Sequence, residues 1–172
     1  HAGTHACRHF LYNLSMKISL ICISKTTEAY LQEGIRIYEN RLQHYCKYQR
    51  TEIPDLKNSK NLSFDQQKQK EAELILAKIS PTDFVVLLDE NGKELDSVQF
   101  SKELNKWMNQ STAHVVFVIG GPYGFHASVY ERANLKLSLS KLTFSHQMVR
   151  LFFTEQLYRA FSILRSEPYH HL

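Results

Sequence analysis

Apolar positions recur along this chain in two alternating rhythms, short unbroken runs and longer stretches spaced by three and four. Residues 17–24 are β-branched and nearly all apolar, which predicts a buried strand. Residues 28–45 follow as a helix, with Leu31, Ile35, Tyr38, Leu42 and Tyr45 at helical spacing. A second strand is predicted over 48–53 and stopped by Pro54, and 55–62 reads as a polar loop carrying Lys57 and Lys60. Ser63 and Gln66 have the spacing of a capping box, and the helix behind them sets Ala72, Ile75, Leu76 and Ile79 on one face. Residues 84–88 form a third apolar run, ended by the turn Asp89-Glu90-Asn91-Gly92. A helix over 96–109 carries the single Trp, Trp107, and 114–119 is a fourth strand that runs into Gly120-Gly121-Pro122-Tyr123-Gly124. A short helix over 127–133 and a short strand over 135–139 come next. The longest helix, 147–164, places Val149, Phe152, Phe153, Leu157, Ala160, Phe161 and Leu164 on its apolar face.

Strands alternating with helices predict an α/β fold, a parallel sheet of about five strands with helices on both faces. No linker or internal repeat divides the chain, so residues 16–172 read as a single domain. Residues 1–15 hold three His, no Met and no apolar stretch of signal-peptide length, and Met16 opens a clean strand, so 1–15 are expected to be a non-native leader or tag, with a genuine short N-terminal arm as the alternative.

Composition sharpens this picture only slightly. With 172 residues, 43% hydrophobic and 22% charged, the chain has the make-up of a globular domain and not of a disordered one. A net charge of +4 allows an anionic partner without requiring one. Cys7, Cys22 and Cys46 are odd in number and lack metal-ligand spacing, which argues against a disulfide framework or a zinc site and suits a reducing cytoplasm. Cys22 sits in an apolar run and reads as a small buried hydrophobe. No apolar run approaches the length of a membrane helix.

Open parallel sheets bind ligands beyond the carboxyl ends of their strands, and three loops qualify: 89–93, 120–125 and 140–146. The glycine loop follows the fourth strand with the wrong spacing for a dinucleotide fingerprint, and no Gly-Lys-Ser/Thr makes it a phosphate loop. By itself it reads first as a tight strand-to-helix turn and only second as a ligand loop. Residues 137–146 alternate apolar and small polar residues and enter the long helix, where free backbone N–H groups are ready donors; Thr143 or Ser145 capping that helix is the structural alternative. His146 and Arg150 share a face of the helix, as do Glu155 and Arg159. Arg150 has the chemistry to hold a phosphate or a carboxylate, or simply to belong to a salt-bridged surface. At the C-terminus, Tyr169 can stack on a base and His170 can move a proton, unless the tail is merely frayed.

Taken in order and spacing, Ile119-Gly120-Gly121-Pro122-Tyr123-Gly124, Ser138 to His146, Glu155-Gln156-Leu157-Tyr158-Arg159-Ala160 and Pro168-Tyr169-His170 resemble the ribosomal large-subunit RNA methyltransferases of the SPOUT superfamily. More narrowly they resemble those members that methylate N3 of a pseudouridine in helix 69 of 23S rRNA. The strand from Met16 and Leu87-Leu88-Asp89 also match, so the resemblance spans 16–172. It implies a sheet whose C-terminal segment is threaded as a trefoil knot, an exception to unthreaded connections. It also implies an S-adenosyl-L-methionine pocket formed by that knot, and a homodimer whose pocket lies beside the partner subunit. Carried over by position, Leu88, Gly120, Gly121, Leu139, Ser140, Lys141, Leu142, Thr143 and Phe144 are expected to hold the cofactor, largely through backbone groups. No metal is expected. Two positions depart from the family pattern: Ser145 stands where Pro is common, and His171-Leu172 follows the Tyr-His pair where Arg or Lys is common.

On this reading His146 and His170 are candidates for removing the N3 proton, Tyr169 for positioning the base and Arg150 for holding phosphate or the cofactor carboxylate. Lys57, Lys60, Arg36 and Arg41 are expected to track RNA phosphates, with the assembled ribosome as substrate. Two rival readings remain at this point. A non-enzymatic ribosome-associated factor shares the basic charge and needs no cofactor pocket, and a methyltransferase for another RNA, such as tRNA, binds the same cofactor.

Overall fold

The computed structural model describes residues 16–171; the expectations for residues 1–15, Cys7 among them, and for Leu172 lie outside them. Five parallel strands form one sheet: β1 (Lys17–Ile23), β2 (Lys47–Ile53), β3 (Phe84–Glu94), β4 (His114–Ile119) and β5 (Leu135–Ser138), in the order β2-β1-β4-β3-β5. Among the described residues the helices are α1 (Ala29–Leu42), α2 (Phe64–Leu76), α3 (Ser97–Asn109), α4 (Ala127–Arg132) and α5 (Met148–Leu164), with one 3-10 turn at Ser59–Asn61. The α/β architecture matches the alternation in the sequence, and the element bounds shift by only a few residues.

The central strands β1 and β4 are almost entirely apolar beyond their first residues because both of their faces are covered, and the polar Ser19 is satisfied by His114 at 2.8 Å. On one side Ile18, Leu20, Val86 and Phe117 pack against α1, α3 and α5, with Leu42, Leu104, Trp107, Phe153 and Leu157 filling the layer. On the other side Ile21, Val85, Val116 and Val118 meet Ala72 and Ile75 of α2 and Val129 of α4. Cys22 and Cys46 belong to the first layer, and burial pushes both thiols up to about 12, so they remain protonated packing groups.

Local signals hold where a side chain can cap a helix by itself. Ser63 accepts from the Gln66 amide and the Gln66 side chain returns to the Ser63 amide, completing the capping box. Asp96 and Gln99 do the same for α3. The expected cap of α5 by Thr143 or Ser145 does not form: the N-cap residue is Gln147, without a side-chain capping bond, and Ser145 Oγ only accepts from the Met148 amide at 3.1 Å in the turn before it.

Two expectations change. The third strand does not end at Leu88: β3 continues to Glu94, and its pairing with β5 jumps between Leu88 and Lys93, so residues 89–92 bulge from the sheet instead of reversing the chain. Phe152 does not join the buried face of α5; it is 38% exposed and tilts against Phe144 at 4.8 Å. Its neighbour Phe153 takes the core position, fully buried against Phe117.

Candidate functional site

Every strand points its carboxyl end to the same edge of the sheet, so the loops after β3, β4 and β5 gather there. The bulge supplies Asp89, Glu90 and Asn91, the β4 loop supplies residues 120–125, and the stretch after β5 supplies residues 139–146. Together they line a cleft of about 660 Å³, within the range of small-molecule sites. Leu88, Ile119, Leu137 and Val149 form an apolar floor.

Two glycines shape the β4 loop. A Cβ on Gly121 would stand 2.8 Å from Oε2 of Glu71, so only a glycine lets α2 press this close beneath the loop. Gly124, at φ 77, turns the chain back so that its amide donates to Gly121 O at 3.1 Å. Glu71 is buried behind the loop, and burial raises its pKa above the ordinary carboxylate value, partly offset by a hydrogen bond from Gln67. On the opposite wall the Tyr130 hydroxyl donates to Asp89 at 2.5 Å.

The stretch after β5 is held by few internal bonds. Ser140 Oγ accepts from the Leu142 amide and Ser140 O accepts from Ser138 Oγ. Among the described residues the amides of Ser140, Lys141, Thr143 and Phe144 find no acceptor within the chain. A segment lined with free backbone donors beside an apolar floor suits a ligand with both polar and apolar parts.

Of the nine positions expected to hold a cofactor, eight line this cleft: Leu88, Gly120, Gly121, Leu139, Ser140, Leu142, Thr143 and Phe144. Lys141 does not; its side chain is 83% exposed and reaches Glu94 at 3.8 Å. His146 stands on the rim, half-buried. Burial and the Arg150 charge hold its imidazole below the ordinary 6.5, against an opposing pull from Asp55. It is therefore neutral at pH 7 and able to accept a proton.

Arg150 lies elsewhere. It is fully buried, and its guanidinium donates to Ile23 O at 2.6 Å, Thr26 Oγ1 at 2.8 Å, His146 O at 3.0 Å and Glu52 Oε1 at 3.3 Å. With those donors engaged it ties the start of α5 to the ends of β1 and β2. The expected contact with a phosphate or a cofactor carboxylate has no exposed surface through which to form in this chain. Glu52 is held below the ordinary carboxylate value: its burial is outweighed by the Thr26 hydroxyl and by Arg50 and Arg150.

The tail is also apart from the cleft. Tyr169 donates to Glu155 Oε1 at 3.0 Å and lies 3.1 Å from the Tyr38 hydroxyl, while Arg159 covers its ring at 4.8 Å. Burial and these two neighbours push its phenol well above the ordinary value, so it stays a hydroxyl. His170 Nδ1 lies 3.3 Å from Arg159. Arg159 sits thirteen positions from His146, about 20 Å along a helix at 1.5 Å per residue. One chain therefore brings His146 to the loops of the cleft and gathers Tyr169 and His170 alongside Glu155 and Arg159, outside the cleft.

Arg36 pairs with Glu33, and Arg41 lies over the rings of Tyr38 and Tyr158. Tyr130 and Val149 also line the cleft although the sequence gave neither a site role, whereas Asp89 and Tyr123 lie in two of the loops expected to meet a ligand. Among the described residues no three His, Cys, Asp or Glu side chains come together as metal ligands, and no helix is long and apolar enough to cross a membrane.

Comparison with known proteins agrees with this geometry. The family model described as predicted SPOUT methyltransferase matches residues 16–170. A protein of Christiangramia forsetii named ribosomal RNA large subunit methyltransferase H is 61% identical over 156 residues, covering 91% of this chain and 99% of its own length. Proteins of the same name from Flavobacterium johnsoniae and Parabacteroides distasonis are 60% and 58% identical over the same coverage. A solved structure of a probable methylase family protein from Haemophilus influenzae Rd KW20 superposes with a TM-score of 0.52 at 13% identity. It covers 92% of this chain and 71% of that one, and it speaks for the fold alone.

Proposed function

Because the chain belongs to the SPOUT methyltransferase family, we propose that it methylates large-subunit ribosomal RNA, at N3 of a pseudouridine in helix 69 of 23S rRNA, with S-adenosylmethionine as donor. The observation that carries the reading is the convergence of three loops on one cleft whose lining includes eight of the nine expected cofactor positions. Near-full-length identity to proteins named as ribosomal RNA methyltransferases supports the choice of RNA.

The cleft suits this cofactor by its chemistry. Leu88, Ile119 and Leu137 offer apolar contact for a purine, and the free amides along 140–144 offer donors to its polar groups. When bound, S-adenosylmethionine supplies a methyl group already activated on a sulfonium. The protein's own task is then to orient the acceptor and remove its proton. N3 of pseudouridine carries a hydrogen and is a poor nucleophile while it keeps it. His146, neutral and on the rim, takes that proton on an imidazole nitrogen, which leaves the N3 lone pair free to attack. The glycine loop and residues 139–144 hold the donor in place, and this positioning supplies much of the acceleration.

The reading includes the trefoil knot and a homodimer. Tyr30, Ile37 and Phe152 leave apolar surface exposed on the α1–α5 side, as Leu142 does on the cofactor loop. In the dimer this surface is covered, and the tail with Tyr169 and His170 completes the cleft of the partner subunit. That arrangement resolves the separation of His146 from the tail within one chain. A cytoplasmic location follows from a ribosomal substrate.

Calorimetric titration with S-adenosylmethionine, with NAD as control, tests the cofactor. Mass mapping of methylated nucleosides after reaction with ribosomes tests the acceptor. Saturable binding and a methyl at N3 of a helix 69 pseudouridine are expected. A methyl on another RNA overturns the substrate, and a well-folded dimer that binds no cofactor even with ribosomes present overturns the enzyme reading.

A further inference from the structure

Phe64 and Tyr123 are stacked on one another in water. Their ring centroids are 4.2 Å apart with planes 26° from parallel, yet Phe64 is 63% and Tyr123 45% exposed. Neither ring belongs to either core layer, so packing does not account for them. Phe64 is the first residue of α2, directly after the Ser63 cap, and Tyr123 lies in the glycine loop that lines the cleft.

The chain leading into the pair carries two lysines, and the pair reaches the site through Tyr123. The polar segment before Ser63 carries Lys57 and Lys60, both exposed. Lys68, Lys93 and Lys141 are the lysines that pair with carboxylates among the described residues, which leaves Lys57 and Lys60 unpaired. The same segment begins at Asp55, whose charge is felt by both His146 on the rim and Glu71 beneath the glycine loop. The start of the segment therefore lies close to that wall of the cleft.

An aromatic face open to water, joined to the cleft through Tyr123 and preceded in the chain by two unpaired lysines, matches the chemistry of an unpaired nucleobase with its backbone phosphates. We propose that the Phe64–Tyr123 pair is a stacking platform for an unpaired base of the RNA substrate near the target nucleotide, with Lys57 and Lys60 on the adjoining phosphates. This rests on the RNA methyltransferase reading and deepens it by assigning the residues that grip RNA. A base laid on the outer face of the pair continues the stack that the two rings have begun. The contact is indifferent to which base is present, because every base has a π-face, so the platform positions the RNA and does not read its sequence.

Phe64 makes the test clean because it lies outside the cleft lining. Methyl transfer to purified 70S ribosomes is measured for the wild type, Phe64→Ala and Phe64→Trp. Loss of one stacking partner is expected to raise the ribosome KM roughly tenfold in Phe64→Ala, while Phe64→Trp stays within about twofold of wild type. S-adenosylmethionine affinity is expected to be the same in all three. An unchanged ribosome KM in Phe64→Ala overturns the proposal. So does weakened S-adenosylmethionine binding, which would mean that Phe64 only props the glycine loop.

A second arm replaces Phe64 with the photoreactive p-benzoylphenylalanine and irradiates the protein with ribosomes. Cross-linking to RNA is expected; cross-linking to a ribosomal protein, or to nothing, overturns the platform. The cross-link needs no turnover, so the two ideas fail separately. If the wild-type chain binds no S-adenosylmethionine while the benzoylphenylalanine-substituted chain cross-links RNA, the methyltransferase reading falls and the platform stands.

Discussion

Two side chains four positions apart on one turn, His146 and Arg150, show how burial divides roles that sequence spacing leaves together. Arg150 turns inward and spends its donors on Ile23, Thr26, His146 and Glu52, while His146 stays on the rim as a neutral imidazole. For His146→Ala the methyl-transfer rate in a single-turnover assay is expected to fall about 10²–10⁴-fold, the usual worth of a general base; a full rate in this variant would remove His146 from the mechanism. Because the imidazole is held below 6.5, the wild-type rate is expected to rise with pH to a midpoint below that value. A midpoint clearly above 6.5 would contradict the assignment. Arg150→Ala leaves Glu52 with Arg50 but strips the Ile23 carbonyl of its buried donor, and a loss of about 1–3 kcal/mol is expected in urea unfolding. The Glu52 carboxyl carries a linked acid signature. Its folded pKa lies below the ordinary 4.5, so its stabilisation is present above pH 4.5 and is lost as pH falls through the folded value. Glu52→Gln should flatten the acid side of the stability profile, and an unchanged slope would contradict that linkage.

At the scale of elements, the glycine loop works because α2 can press against it from below. Gly121→Ala drives a methyl to within 2.8 Å of the Glu71 carboxylate, and Glu71, only 5% exposed, has little room to retreat. Overpacking of this kind costs about 1–3 kcal/mol, and here it is expected to appear both as a lower Tm and as weaker S-adenosylmethionine binding. Adding Glu71→Ala should restore most of the binding; if it does not, the clash is not the cause. The bulge in β3 is an element-scale device of a different kind. It interrupts the β3–β5 ladder between Leu88 and Lys93 and in doing so brings Asp89, Glu90 and Asn91 into the cleft wall. The Asp89–Gly92 stretch had the residues of a reversing turn, and local chemistry cannot distinguish a turn from a bulge when the partner strand lies more than forty positions ahead.

At the scale of the molecule, the separation of His146 from Tyr169 and His170 makes a definite statement about assembly. If the tail completes the partner's cleft, His146→Ala and His170→Ala proteins are each weak alone but complementary when their subunits exchange. One of the two sites in a mixed dimer then holds both wild-type histidines, and random exchange is expected to recover about a quarter of wild-type activity. No recovery after verified subunit exchange would mean that each chain uses its own tail or that His170 has no part in the reaction.

What the sequence determined by itself was local or periodic. Unbroken apolar runs announced strands covered on both faces, period-3.6 patterns announced their helices, and Ser63 and Asp96 sit at helix starts that their own side chains can cap. The family resemblance carried by Leu87-Leu88-Asp89, the glycine loop and the Ser138–His146 stretch pointed to nine positions, of which all but Lys141 line one cleft. Tertiary structure decided the rest, because the rest depends on partners distant in the chain. Periodicity offered Phe152 and Phe153 alike to the core, and only the position of Phe117 across the sheet selected Phe153. Spacing made Arg150 a candidate for a ligand, and only the carbonyl ends of β1 and the Glu52 side chain of β2 drew it inside. The stack of Phe64 on Tyr123 joins residues fifty-nine positions apart, and no local pattern could announce it. A side chain's periodicity says which way it faces along its own element; what it meets there is set by the packing of elements that the chain reaches much later.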